Sequence, residues 1–163
     1  YICVRVHPQL AEQFHGYTDE HLQKRIINES QSDDMYEILA AMDAYITDYS
    51  SACFEAGFAH IPVFIYADDI QKYAKDRGAL MWNLASYPRE RITNNKAFTP
   101  KLNLIFPFTV ANNNEQLESD IAGFNQETYN EKLNEFYKKI GLVFKGNASE
   151  KLAGEIEKKI RDI

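Results

Sequence analysis

The stretch Asp43 to Glu55, DAYITDYSSACFE, constrains the fold more tightly than any other part of the chain. Ala44 to Thr47 suits a strand, and Ser50 or Ser51 opens a helix that runs through Phe58. PVFIY, Pro62 to Tyr66, supplies another short apolar strand directly after that helix. Strand, helix and strand in this order read as a parallel βαβ unit, because parallel strands need a crossover that returns to the same end of the sheet.

The flanking sequence extends the pattern. Tyr1 to Val6 alternates and is rich in β-branched residues, which predicts a strand closed by His7-Pro8. Gln9 to Lys24 is polar and has no clear period, and Arg25 to Asn28 predicts a short strand. Ser32-Asp33-Asp34 offers an N-cap and an acidic first turn for a helix carrying Tyr36, Leu39, Ala40 and Met42. Asp68 begins a helix that contains Tyr73. The pattern dissolves from Asn83 to Pro107 and returns at Phe108 to Ala111. Helices are predicted over Asn113 to Gly123, Glu127 to Ile140 and Ala148 to Ile163, with Asn147 and Glu150 as a capping pair. The expected class is α/β: a doubly wound, Rossmann-like parallel sheet forming one domain over residues 1–163.

Composition narrows the function. With 45% hydrophobic and 26% charged residues, the chain can bury a core. A net charge of -6 argues against a general nucleic-acid binder, which needs a basic face. Cys3 and Cys53 show no metal spacing and read as reduced, buried thiols. No carboxylate cluster is shaped for a divalent metal, and Asp68-Asp69 reads as a helix start, so no metal or cofactor is expected. No apolar run approaches the roughly 20 residues of a membrane span. The chain starts without Met inside an apolar strand, which suggests a piece cut from a longer protein.

Ligands of open α/β sheets bind beyond the carboxyl ends of the strands, where a helix start presents free N–H groups. Ser50 and Ser51 stand there with hydroxyl donors, and Thr47 and Asp48 close the strand. The alternative is a plain helix cap, with Asp48 as a turn former. His7 follows a strand at the same kind of edge, where an imidazole binds a phosphate or moves a proton, or serves as a loop histidine. Arg77-Gly78 places a forked guanidinium in a loop, for a phosphate or for a surface ion pair. Glu55, one turn beyond Ser51, accepts from a ribose hydroxyl or faces solvent. His15, His21 and His60 read as structural or solvated.

The series HP, DAYITDYSS, FE, PVFIYADDIQKYAKDRG and KGNASEKL resembles the C-terminal half of the CDP-glycerol glycerophosphotransferases, the teichoic-acid primases and polymerases. The resemblance runs in order from His7 to Ile163. It implies the nucleotide-binding half of a GT-B fold, with the acceptor-binding half elsewhere. It implies attack of a hydroxyl on the β-phosphate of CDP-glycerol or a related CDP-polyol, with release of CMP, in teichoic-acid or capsule synthesis. On that resemblance His7 is catalytic. Arg5, Thr47, Asp48, Ser50, Ser51, Glu55, Arg77 and Gly78 bind substrate, with Ser50 and Ser51 on the pyrophosphate. The implied partners are a nucleotide-activated polyol and a lipid-linked polymer acceptor, and no nucleic acid. The full-length protein is then cytoplasmic and peripheral at the inner membrane face. Glu55 replaces the family's Asp, Lys145-Gly146 replaces its late Asp-Gly, and the Gly-Pro segment after Arg77-Gly78 is absent. These departures leave glycerol, ribitol or a sugar open as the transferred group. Two other readings are a GT-B enzyme using a UDP-sugar and a receiver-like regulatory module.

Overall fold

The computed structural model describes residues 1–13, 19–77, 80, 82, 84, 105–142 and 146–161. These fall into two compact units, Tyr1–Asp43 and Ala44–Ile163. All strand pairings among the described residues are parallel.

In the first unit, β1 (Ile2–Val4) pairs with β2 (Ile26–Asn28), placing Ile2 opposite Ile26 and Val4 opposite Asn28. β1 stops two residues before His7, and Ser30 explains how its end is held. The buried Ser30 hydroxyl accepts from the Val6 N–H at 3.2 Å, while the Ser30 N–H donates to Asn28 Oδ1 at 3.0 Å. A short helix α1 (Glu20–Gln23) breaks the polar stretch that has no period, and it starts because the Asp19 carboxylate accepts from the His21 and Leu22 N–H groups. Within Ser32-Asp33-Asp34, read as an N-cap and acidic first turn, Asp34 is the N-cap of α2 (Met35–Ala40), accepting from Tyr36 and Glu37.

In the second unit the sheet order is β3-β4-β5, with β3 at Tyr45–Thr47, β4 at Val63–Tyr66 and β5 at Thr109–Ala111. Val63, Phe64 and Ile65 of the central strand are all buried, as expected of a strand covered on both faces. α3 (Ala52–Phe58) follows β3, α4 (Ile70–Arg77) follows β4, and α5 (Asn114–Ala122) follows β5. α6 (Gln126–Ile140) buries Tyr129, Leu133, Phe136 and Tyr137, the spacing of one helical face. α7 (Ala148–Arg161) buries none of its described residues. The Asn147 carbonyl accepts from Lys151 at 3.1 Å, so Asn147 does stand at the start of that helix.

An aromatic core joins these layers. Phe54 of α3 meets Trp82, Phe106, Phe108 and Phe136 at centroid distances between 5.5 and 6.1 Å. Trp82, Phe106 and Pro107 are buried, although the last two lie where the sequence pattern dissolves and Trp82 borders that stretch. The Tyr129 hydroxyl donates to the Ile61 carbonyl at 2.7 Å and ties α6 to the entrance of β4. α3 ends with His60 in the left-handed region, φ 57°, while Ile61 N–H reaches Ala56 O and His60 N–H reaches Gly57 O. Glycine normally fills that position. Here the His60 ring lies 2.9 Å from Asn130 Oδ1, and its carbonyl accepts from Gln126, so His60 is structural as expected. Cys53 is buried, whereas Cys3 is only half-buried, because it lies in a two-stranded sheet whose outer positions face solvent.

Candidate functional site

β3 ends at Thr47, and Asp48-Tyr49-Ser50-Ser51 turns the chain into α3. Ser50 Oγ accepts from the Ala52 N–H at 3.3 Å, a long local bond of the kind that shapes a turn. Ser51 stands at the N-cap position with helical backbone angles, and its side chain makes no capping bond. Both serines are exposed. Ser50 therefore does part of the capping that the plainer reading assigns to it, while the Ser51 hydroxyl points to no helix partner.

Two cavities flank this turn. The wider one, about 560 Å³, lies at the carboxyl ends of β3 and β4. Thr47, Asp48, Tyr49, Tyr66, Asp68, Asp69 and Tyr73 line it, with Asn114 and Leu117 from α5. The other, about 200 Å³, is lined by Asp48, Tyr49, Ser50, Ser51 and Cys53, with Phe54, Trp82, Leu84 and Phe106 as apolar wall. The first cavity carries three carboxylates and suits hydroxyl or cationic donors; the second suits a flat apolar group with polar atoms at one rim.

Hydrogen bonds fix the walls. Tyr49 Oη donates to Asp69 Oδ1 at 2.7 Å, and Tyr66 Oη donates to Asn114 Oδ1 at 2.7 Å. The Tyr49 and Tyr73 rings lie 4.0 Å apart. Burial, the bond to Asp69 and the nearby carboxylates push the Tyr49 phenol well above its usual range, so it stays a donor. Burial, with the Glu55 charge behind it, pushes the Cys53 thiol up to about 12 and makes it a poor nucleophile.

Thr47, Asp48, Ser50 and Ser51 thus come together around one turn. Glu55 is half-buried on α3, and its Oε2 is buried without a hydrogen-bond partner among the described residues. Arg77 is exposed in the last turn of α4, and Gly78 lies outside the described residues. In the first unit, Arg5 is half-buried and donates to the Ser32 carbonyl at 2.8 Å. His7 is exposed, and its Nδ1 accepts from the Gln9 N–H at 3.3 Å. A neutral ring that accepts at Nδ1 carries its proton on Nε2 and offers that N–H outward. His15 lies outside the described residues, and His21 is exposed. No group of His, Cys, Asp or Glu among the described residues is arranged to hold a metal ion, and no described helix is long and apolar enough to cross a membrane.

Sequence reading missed Tyr49, Tyr66, Tyr73, Trp82 and Asn114. Tyr49 sits inside the ITDYSS block, and Tyr66 and Tyr73 inside PVFIYADDIQKY, so the motif itself held the signal.

Parallel strands joined by crossovers, with cavities beyond their carboxyl ends, define an open parallel α/β architecture. Residues 1–158 match the family described as CDP-Glycerol:Poly(glycerophosphate) glycerophosphotransferase, and the chain belongs to that family, as its motifs indicate. It is 31% identical over 137 residues to the teichoic acid poly(glycerol phosphate) polymerase of Staphylococcus epidermidis, covering 83% of this chain and 17% of that protein. It is 29% identical over 76 residues to the teichoic acid ribitol-phosphate primase of Bacillus spizizenii, covering 47% of this chain and 18% of that protein. The chain therefore spans less than a fifth of either curated relative. Among solved structures, the wall teichoic acid polymerase TagF superposes with a TM-score of 0.61 at 24% identity, over 99% of this chain and 35% of that one. That likeness speaks for the fold.

Proposed function

We propose that this chain is the donor-nucleotide-binding part of a CDP-polyol phosphotransferase, the C-terminal half of a GT-B enzyme. The observation that carries the reading is the exposed Ser50–Ser51 turn at the end of a parallel strand, within a chain of this family. The Ser51 hydroxyl makes no capping bond to its own helix, and in this reading it donates to a phosphate oxygen.

In the reaction proposed, an acceptor hydroxyl oxygen attacks the β-phosphorus of CDP-glycerol or its relative. The bond from that phosphorus to the bridging oxygen breaks, CMP leaves with the electron pair, and the hydroxyl proton passes to a base. Positioning and neutralisation of the pyrophosphate supply most of the catalysis in such transfers. Ser50 and Ser51 would hold the phosphates, and Arg77 would add charge. Glu55, which lines neither cavity, keeps only the ribose-hydroxyl role that the family motif implies. His7 is the catalytic histidine, and its Nδ1 contact favours an Nε2–H donor to a phosphate oxygen over a base at that nitrogen. The acceptor would be a lipid-linked polymer held by the other half, which places the full-length protein at the cytoplasmic face of the membrane. No metal or cofactor is needed in this reading.

Calorimetry of the full-length protein tests the donor: CDP should bind at least tenfold more tightly than UDP or GDP. Equal binding sinks the assignment and favours a UDP-sugar enzyme. His7→Ala should lower transfer at least a hundredfold with an unchanged thermal transition. Near-normal turnover removes His7 from the mechanism.

A further inference from the structure

Tyr49, between Asp48 and Ser50, is held at both its hydroxyl and its ring. Its hydroxyl donates to Asp69 at 2.7 Å, and its ring lies 4.0 Å from that of Tyr73. Asp69 immediately precedes α4 and Tyr73 lies within it, so one side chain fastens the turn after β3 to the segment after β4. Tyr49 also lines both cavities, as Asp48 does. The next residue is Ser50, whose hydroxyl and carbonyl receive the Ala52 and Cys53 N–H groups. Ser51 offers its carbonyl to Phe54, and its side chain makes no capping bond.

We propose that Tyr49 is a positioning residue: the clamp it makes with Asp69 and Tyr73 sets the Ser50–Ser51 turn for the donor's phosphates. The inference rests on the donor reading above and adds what makes the turn competent. The phenol keeps its proton throughout the working pH range, because burial and the carboxylates of Asp69, Asp68 and Asp48 all oppose ionisation.

The test uses the full-length protein and two ligands, CDP and cytidine, in calorimetric titrations. Tyr49→Phe keeps the ring contact and loses the hydrogen bond; Asp69→Ala removes the acceptor; Asp69→Asn retains an acceptor oxygen. CDP affinity should fall about tenfold in Tyr49→Phe and in Asp69→Ala, as expected for loss of one hydrogen bond to a charged group. The double variant should be no worse than either single one, because both remove the same bond. Asp69→Asn should restore CDP binding to within about threefold, and cytidine affinity should stay constant throughout. Unchanged CDP binding in Tyr49→Phe, additive losses, or a parallel fall in cytidine affinity overturns the proposal. A ligand-free measurement separates its failure from that of the donor reading. Amide exchange at Ala52 and Cys53 should quicken in Tyr49→Phe, and unchanged exchange refutes the clamp whatever nucleotide the protein prefers.

Discussion

Gly57 lies on the buried face of α3, and Gly57→Ala probes the packing that anchors the helix behind the Ser-Ser turn. A Cβ at this position would stand 2.8 Å from Tyr137 Oη and 3.0 Å from Phe108 Cε1 and Cζ. Neither ring has room to yield. Phe108 is 3% exposed and Tyr137 is 7% exposed. Phe108 is wedged between Phe54 at 5.5 Å and Phe106 at 5.3 Å, and Tyr137 between Phe58 at 5.1 Å and Phe136 at 5.9 Å. Alanine gains about 1 kcal/mol over glycine in a helix interior. Overpacking a filled core costs about 1–3 kcal/mol. The net expectation is a loss of about 1 kcal/mol, with the midpoint lowered by about 2–4 °C. Trp82 is the one tryptophan in the sequence and is buried in this core, so its fluorescence reports urea unfolding of the same unit. A variant more stable than the parent by about 1 kcal/mol would refute the reasoning, since that is what an open helical site gives.

Alkaline stability follows from the buried acids. Burial leads the causes that push Cys53 and Tyr137 up to about 12, and it raises Tyr129 further. The folded protein keeps these protons where the unfolded chain releases them, so the contribution is whole below about pH 9 and is lost as pH climbs toward 12. The urea midpoint should fall steadily over that window, and a level profile contradicts the burial. Helix caps give a contrast: Asn113→Ala and Asn125→Ala remove bonds of 2.8 and 2.9 Å to Gln116 and Thr128 and should each cost about 1 kcal/mol. Ser51→Ala removes no cap bond, so it should leave the thermal midpoint within about 1 °C while weakening CDP binding.

The βαβ core was legible because its physics is local. PVFIY is continuous apolar sequence, which only a strand covered on both faces uses, and Pro62 sits at the strand entrance, where its carbonyl receives the Tyr45 N–H. Asp34, Asn113 and Asn125 are short oxygen acceptors of the type that begins helices; Asn113 also marks the predicted start of α5. The cavities were not legible. Tyr49, Tyr66 and Tyr73 converge only through the crossover from β3 to β4, and nothing in their spacing tells which face each ring takes. Phe106 belongs to a stretch without a period and Trp82 borders it, and both are buried by tertiary packing around Phe54. α1 was missed because its start rests on one aspartate in a polar run too short to show a helical repeat.

The central claim is that the Ser50–Ser51 turn receives the phosphates of a cytidine nucleotide, and a hydrogen-exchange footprint with and without saturating CDP tests it most directly. The account predicts slowed exchange in peptides spanning residues 47–55, with a smaller effect when cytidine replaces CDP. CDP that binds yet leaves residues 47–55 unprotected would contradict it.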